Sequence, residues 1–259
     1  MDKINSSKIC VLSGRYPESE FKANVNHRIY CDIHNYNYIY CNWPTKARNR
    51  YMNKIEYIKY YYSLFEYIFW VDDDAFFIDI DKSLEEFLPS NDNFLSICGS
   101  PDYKKIHTFI SSGQFAIKCS EVGKRFIDEI FRVDLSKVKE WWDESLGYFT
   151  NGDQDAMVFL LKEHPEFKHR YKRYHYMKFN SRVEDLFRTG GVDSLFILHI
   201  TGTTVKKRKD YIKVQKFLKK SPSLVVESLE HRYNLHSGQK SMLNKIVRLF
   251  RKRKVLCCG

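Results

Sequence analysis

The feature that most constrains the fold is an apolar run, residues 67–71, that stops at three consecutive aspartates, Asp72, Asp73 and Asp74. Apolar runs of this length are typical of strands buried inside an α/β sheet. The carboxylates then lie at the end of the strand, where open α/β sheets bind ligands. Three such charges suit Mg²⁺ or Mn²⁺ held together with a diphosphate. On the triplet alone, an acidic loop that caps the next helix is the favoured interpretation.

The rest of the chain indicates that this strand belongs to an alternating α/β pattern. Strands are predicted at 8–12, 38–41, 67–71, 94–98, 114–118 and 195–198, and helices at 50–65, 83–88, 120–132 and 154–163. Strands that alternate with helices predict a mainly parallel central sheet with helices on both faces. We expect one domain over residues 1–205 and a helical basic extension over residues 206–259.

The basic charge of the chain is concentrated in that extension. Residues 206–259 hold 16 of the 43 Lys and Arg but only three of the 32 Asp and Glu, a net charge of +13, whereas the remainder has −2. A nucleic-acid partner is therefore not expected for residues 1–205. Residues 241–255 have the pattern of an amphipathic basic helix that suits an anionic membrane surface. The alternative is a helix that packs on the main domain with a solvated charged face.

Membrane insertion is not expected from the sequence. The polar start and the short apolar run at 9–12 do not fit a signal peptide. An apolar run of the length needed to span a bilayer does not occur in the sequence. The expected location is cytoplasmic, with peripheral attachment to the cytoplasmic face of a membrane through the basic end.

A histidine follows the last predicted strand, in His199-Ile200-Thr201-Gly202. A lone histidine beside a strand is usually structural, and that interpretation is favoured when His199 is taken alone. If its strand ends on the same face as Asp72, two aspartates and an imidazole would form part of an octahedral site. An imidazole among oxygen ligands favours Mn²⁺ over Ca²⁺.

A third polar cluster, Asp153-Gln154-Asp155, stands at the start of a predicted helix. Taken alone, it is best explained as a helix N-cap. The functional alternative is a sugar pocket, because carboxylates and amides pair with sugar hydroxyls as acceptors and donors.

The order of these motifs resembles that of retaining GT-A glycosyltransferases. The nearest resemblance is to the family of yeast α-galactosyl- and mannosyltransferases and plant xyloglucan xylosyltransferases, and the glycogenin-like family is second. The resemblance covers residues 8–206. It rests on Trp70-Val71-Asp72-Asp73-Asp74-Ala75, Ser112-Gly113-Gln114-Phe115, Asp153-Gln154-Asp155-Ala156 and His199-Ile200-Thr201-Gly202.

The resemblance implies a single Rossmann-like GT-A domain and a set of site residues. Metal ligands would be Asp72, Asp74 and His199, with Asp72 shared with the nucleotide ribose. The donor sugar would face Asp153 and Gln154, with Asp155 as an alternative. Other nucleotide contacts would be Ser13, Gly14, Arg15, Asp73, Gly113 and Gly202, of which Asp73 matters least.

The chain departs from the family pattern where His34 is followed by Asn35 rather than glycine, and again at the diphosphate lysine. The families place a lysine five or six residues after the histidine to hold the diphosphate. Those positions are Thr204 and Val205 here, and Lys206 comes one residue later. Lys206 is therefore the sequence-based candidate for the diphosphate lysine.

The activity implied is metal-dependent transfer of a sugar, with retention of configuration, from a nucleoside diphosphate to a hydroxyl of a glycan or glycolipid. UDP is the favoured nucleotide, and galactose, glucose or xylose is favoured over mannose. Two alternatives stay open: a catalytically inactive GT-A-like adaptor that binds membrane or RNA, and a sugar nucleotidyltransferase. The latter normally begins with a Gly-rich phosphate loop, for which Ser13-Gly14-Arg15-Tyr16 has too few glycines.

Overall fold

A computed structural model describes residues 5–47, 49–102, 107–190 and 195–234. The predicted amphipathic helix at 241–255 lies outside the described residues. The strands and helices are β1 (Ile9–Gly14), α1 (Ala23–His34), β2 (Asn37–Cys41), α2 (Asn53–Tyr61), β3 (Tyr67–Val71), β4 (Ala75–Phe77), β5 (Leu95–Cys98), β6 (Ser111–Lys118), α3 (Glu121–Arg132), α4 (Leu135–Trp141), α5 (Asp153–Glu163), β7 (Tyr171–Tyr174), β8 (Ser181–Arg182), α6 (Val183–Thr189), β9 (Ile197–His199) and α7 (Thr204–Leu218).

The central sheet has six strands in the order β2-β1-β3-β6-β5-β7. Strands β1, β2 and β3 are parallel, as are β5 and β7, and β6 runs antiparallel to both of its neighbours. This confirms the predicted mainly parallel sheet.

Strand β3 is buried on both faces of this sheet. Ile68 and Trp70 join a cluster with residues of α2, α3 and α5. Phe69 and Val71 join a second cluster with Tyr30 of α1. A strand covered on both sides needs apolar residues at every position, which explains the continuous apolar run before Asp72.

A second sheet, in the order β4-β9-β8, carries the last predicted strand to the acidic triplet. Ala75 of β4 pairs with His199 of β9. The backbone N–H of Ile200 donates to the carbonyl of Asp74 at 2.9 Å. These two pairings place His199 directly beside the aspartates that precede β4.

Two predicted helices are shorter than expected. Residues 83–88 contain only a single 3₁₀ turn, Glu85–Phe87, after which Leu88 is extended. Pro89 disfavours helical backbone at the residue before it, which ends the turn. The helix predicted at 50–65 divides into Arg50–Met52, α2 and Tyr62–Leu64, of which the first and last are 3₁₀ turns.

Helix α7 begins just before the predicted boundary at residue 205 and packs against the second sheet. Val214 of α7 and Leu224 beyond it are fully buried with Phe76 of β4 and Leu198 of β9. The first part of the predicted basic extension therefore packs on the same body as the site residues.

Candidate active site

The three predicted metal ligands converge at the ends of β3 and β9. Nε2 of His199 lies 3.0 Å from Oδ1 of Asp74 and 4.0 Å from Oδ2 of Asp72. One ligand atom from each residue lies within 4.8 Å of the others. Adjacent ligands of an octahedral ion with bonds of about 2.1 Å are about 3 Å apart, so this spacing suits Mg²⁺ or Mn²⁺. The oxygen and imidazole donors also fit such an ion.

A buried amide orients the imidazole of His199. Nδ1 of His199 lies 3.0 Å from Oδ1 of Asn180, which accepts a hydrogen bond and therefore places the proton on Nδ1. Arg182 holds Asn180 in turn, by donating to its backbone carbonyl at 2.6 Å and to its amide oxygen. The Nε2 lone pair is thus directed at the aspartates. Metal-binding histidines characteristically have such a partner on the other nitrogen.

Burial and two cations set the charge state of this cluster. Burial lowers the pKa of His199 although Asp74 opposes it, which favours the neutral imidazole that a ligand requires. Burial acts to raise the pKa of Asp74, but His199, when its ring is protonated, and the Lys207 ammonium outweigh it and hold that pKa well below its usual value. Asp74 is therefore ionised, and its Oδ2 accepts a hydrogen bond from Nζ of Lys207.

Gly113, which has no side chain, leaves the space in which Asp72, Asp74 and His199, together called the triad, approach one another. A Cβ atom there would lie 2.6 Å from Cε1 of His199 and 3.2 Å from Oδ2 of Asp72. The carbonyl of Gly113 also accepts from the backbone N–H of Asp72 at 2.8 Å. Any side chain at this position would displace a predicted ligand.

Lys54 joins the triad to the third predicted cluster, and the sequence analysis missed it. Nζ of Lys54 lies 3.2 Å from Oδ1 of Asp72, 3.5 Å from Oδ2 of Asp153 and 3.0 Å from the carbonyl of Ser112. Burial opposes the charge on Lys54, but Asp153 and Asp72 outweigh it and raise its pKa.

A signal for this lysine was present in the sequence. Lys54 precedes Ile58 by four residues and Tyr61 by seven, so it lies on the apolar stripe of α2. A cation on a buried stripe requires a carboxylate partner.

Comparisons with known proteins match this architecture. Residues 8–98 match the model of the galactosyl transferase GMA12/MNN10 family. A glycosyltransferase involved in the glycosylation of the major capsid of PBCV-1 superposes with a TM-score of 0.58 at 15% identity, covering 78% of this chain and 98% of that one. The chain has the GT-A fold, and its first part carries the sequence pattern of a glycosyltransferase family. The match confirms the resemblance inferred from the motifs.

Other solved structures are more distant. The bifunctional glycosyltransferase WbbM gives a TM-score of 0.50 at 12% identity, covering 90% of this chain and 52% of that one. The glycosyltransferase GlyE of Streptococcus pneumoniae TIGR4 gives 0.49 at 13%, covering 89% and 65%. A search of curated proteins found no match.

Five of the seven predicted nucleotide residues border one cavity of about 700 Å³ beside the triad, and Ser13 and Gly113 are not part of its lining. Its lining includes Gly14, Arg15, Lys54, Asp72, Asp73, Asp74, Gly202 and Lys207. Nη1 of Arg15 lies 3.9 Å from Oδ1 of Asp73. Ser13, by contrast, is fully buried, and its hydroxyl has no hydrogen-bond partner among the described residues. The volume suits a small-molecule ligand.

The two carboxylates at the start of α5 have different surroundings. Asp155 accepts from the backbone N–H of Gly152 at 3.2 Å and from Oγ1 of Thr150 at 2.9 Å, an arrangement that caps the helix. Asp153 faces Lys54 instead. Oε1 of Gln154 accepts from the backbone N–H of Ser112 at 3.1 Å. The capping interpretation thus describes Asp155, while Asp153 and Gln154 lie beside the triad.

The structure places Lys206 and Lys207 differently. Nζ of Lys206 lies 3.6 Å from Oε1 of Glu184 and pairs with Asp210 on its own helix. Nζ of Lys207 instead contacts Oδ2 of Asp74. Consecutive residues of a helix point about 100° apart, so only one of the two can face the triad.

Gly202 connects β9 to α7 at the rim of the cavity. Its φ of +122° is a conformation that only glycine adopts readily.

None of the helices in the described ranges is long and apolar enough to cross a membrane.

Proposed function

We propose that this protein is a metal-dependent, retaining glycosyltransferase that moves a sugar from a nucleoside diphosphate to a hydroxyl of a glycan or glycolipid. UDP is the favoured nucleotide, and galactose, glucose or xylose is favoured over mannose. The observation that carries the proposal is the convergence of Asp72, Asp74 and His199 at the edge of a cavity large enough for such a donor.

The three converging side chains would hold Mn²⁺ or Mg²⁺. The bound ion would neutralise charge on the leaving diphosphate. Lys207 takes the role that the sequence suggested for Lys206, because its ammonium group reaches the triad and lines the cavity. A preorganised cation at this place stabilises developing charge without reorganisation during the reaction.

The surroundings of the sugar-facing carboxylates favour attack by the acceptor on the same face as the leaving group. Asp153 is 3% exposed and ion-paired with Lys54, and Asp155 is held in its capping interactions. Each carboxylate therefore already has a structural partner, which favours a role other than forming a bond to the sugar. Gln154 is neutral and lies beside Ser112, so its amide can support positive charge that develops on the sugar ring.

The two alternatives are less well supported. An inactive adaptor has no need for a metal triad, a hydrogen-bonded Asn180 behind it and a lysine in front of it. A nucleotidyltransferase would require a phosphate loop after β1, yet Gly14 is the only glycine between Ile9 and Phe21.

A panel of nucleotide sugars tests the proposal. With Mn²⁺ present, we expect one UDP-sugar to raise the melting temperature of the protein and to be slowly hydrolysed. NMR of the released sugar should show the anomeric configuration of the donor. The proposal fails if no nucleotide sugar stabilises the protein in the presence of Mn²⁺ or Mg²⁺.

The role of Asn180 gives a second prediction. Replacing Asn180 with leucine removes the acceptor that holds the proton on Nδ1 of His199. We expect Mn²⁺ to bind about 10–100-fold more weakly, as is typical when such a partner is lost. Titration followed by electron paramagnetic resonance of free Mn²⁺ measures this without any turnover.

Asn180→Asp is the matched control for that experiment. Aspartate keeps an acceptor for both His199 and Arg182, so its affinity for Mn²⁺ should stay near that of the unaltered protein. Equal affinity in the leucine variant would show that Asn180 does not position the histidine.

A membrane partner remains part of the proposal for the basic end of the chain. Residues 241–255 were predicted to bind an anionic surface at the cytoplasmic face of a membrane, and they lie outside the described residues. Vesicle binding with and without residues 241–259 would test that prediction.

A further inference from the structure

The cations of α7 divide into two groups. Three of them form ion pairs. Lys206 pairs with Asp210 and Glu184, Lys207 pairs with Asp74, and Arg208 pairs with Glu20. Lys209, Lys213 and Lys216 are exposed and have no ion pair among the described residues. The first group belongs to the site and its rim, and the second calls for a separate explanation.

The unpaired lysines share one crest of the helix with two apolar residues. At 3.6 residues per turn, the outward residues fall within an arc of about 100°. This crest consists of Val205, Lys209, Ile212, Lys213 and Lys216. Val205 is 61% exposed and Ile212 is 49% exposed.

The composition of the crest is unfavourable for a face that meets only water. Lys209 and Lys213 are four residues apart and Lys213 and Lys216 three apart, spacings at which like charges destabilise a helix. Acidic residues do not occur among the five crest positions. An anionic partner would relieve this repulsion and cover the apolar side chains.

An apolar pair continues the crest toward α6. Phe187 of α6 and Phe217 of α7 meet with ring centroids 5.2 Å apart, and they are 42% and 43% exposed. Lysines interspersed with exposed apolar side chains are characteristic of elements that lie in a bilayer interface. A nucleic acid would use the charges but would leave Val205 and Ile212 in water.

We propose that the crest of α7 docks on an anionic phospholipid surface. The crest begins at Val205, three residues after Gly202 at the rim of the cavity. Docking would therefore hold the cavity rim near the membrane. Docking of this kind rests on the proposed function in one respect: it would bring the cavity close to a sugar acceptor carried by a lipid.

Vesicle sedimentation of the full chain tests the crest directly. The variant is Lys209→Gln/Lys213→Gln/Lys216→Gln, and the vesicles are phosphatidylcholine with or without phosphatidylglycerol. A lysine near an anionic surface contributes about five-fold in partitioning, so we expect a loss on the order of 100-fold on anionic vesicles. Val205→Ser/Ile212→Ser should also weaken binding, and this loss should persist at high salt.

The control variant is Lys137→Gln/Lys139→Gln/Lys168→Gln, which removes three positive charges from exposed lysines elsewhere. It should leave vesicle binding unchanged. Unchanged binding by the crest variant would overturn the proposal, as would binding of a ribo-oligonucleotide without binding of vesicles. Donor hydrolysis in solution should be equal in the crest variant and the unaltered protein. Failure of the proposed activity would instead abolish hydrolysis in both and leave the vesicle result interpretable.

Discussion

Replacing Asp74 with asparagine should lower the rate of sugar transfer by about 10³-fold. The carboxylate faces Nε2 of His199 through one oxygen and Nζ of Lys207 through the other. Asparagine keeps the size of the side chain but removes the negative charge that a divalent ion requires. Transfer should be measured at saturating Mn²⁺ with the donor identified by the panel.

A loss of folding must be distinguished from a loss of chemistry in that variant. A buried cation that loses its partner can destabilise a protein by about 3–5 kcal/mol. Melting curves without metal show whether the variant folds. Asp81→Asn serves as the control, because Asp81 is an exposed aspartate that follows β4 and lies outside the triad. Full activity of folded Asp74→Asn would refute the metal site.

A comparison of Lys207→Met with Lys206→Met should separate two neighbouring lysines. We expect Lys207→Met to lower the rate by about 10²–10³-fold, because it removes a cation that faces the triad. Lys206→Met should change the rate by less than about three-fold, since its ammonium group pairs with exposed Glu184 and with Asp210.

This pair of variants carries its own control, because both remove one positive charge from the first turns of α7. A large loss in Lys206→Met and none in Lys207→Met would restore the assignment made from the sequence. Measuring the rate against donor concentration adds a second criterion. A lysine that holds the diphosphate in the transition state should affect the maximal rate as well as donor affinity.

Much of the fold followed from local pattern. The apolar run before Asp72 had to be buried on both faces, and β3 is covered by helices on both sides. The 3₁₀ turn at Glu85–Phe87 and the separate turns around α2 were not foreseen. The length of such turns depends on the position of the neighbouring strand and on Pro89. Hydrophobic spacing carries no information about either.

The sequence predicted which residues form the site, but it predicted only some of the contacts between their side chains. Asp72, Asp74 and His199 each follow an apolar strand, and the family resemblance implied that they are metal ligands. Asp153 was favoured over Asp155 only through the resemblance, because both residues begin the same helix. Their roles separate only when Lys54 approaches one carboxylate and the backbone of Gly152 binds the other.

The sequence by itself determined the alternating α/β architecture and the acidic, imidazole and amide groups at the strand and helix ends. These follow from hydrophobic periodicity and from residue chemistry, which are local properties. Only the tertiary structure decided that His199 meets the aspartates, that Asn180 orients it, and that Lys207 faces the site. The reason is physical: each depends on pairing between distant segments, and a rotation of about 100° along one helix exchanges Lys206 for Lys207.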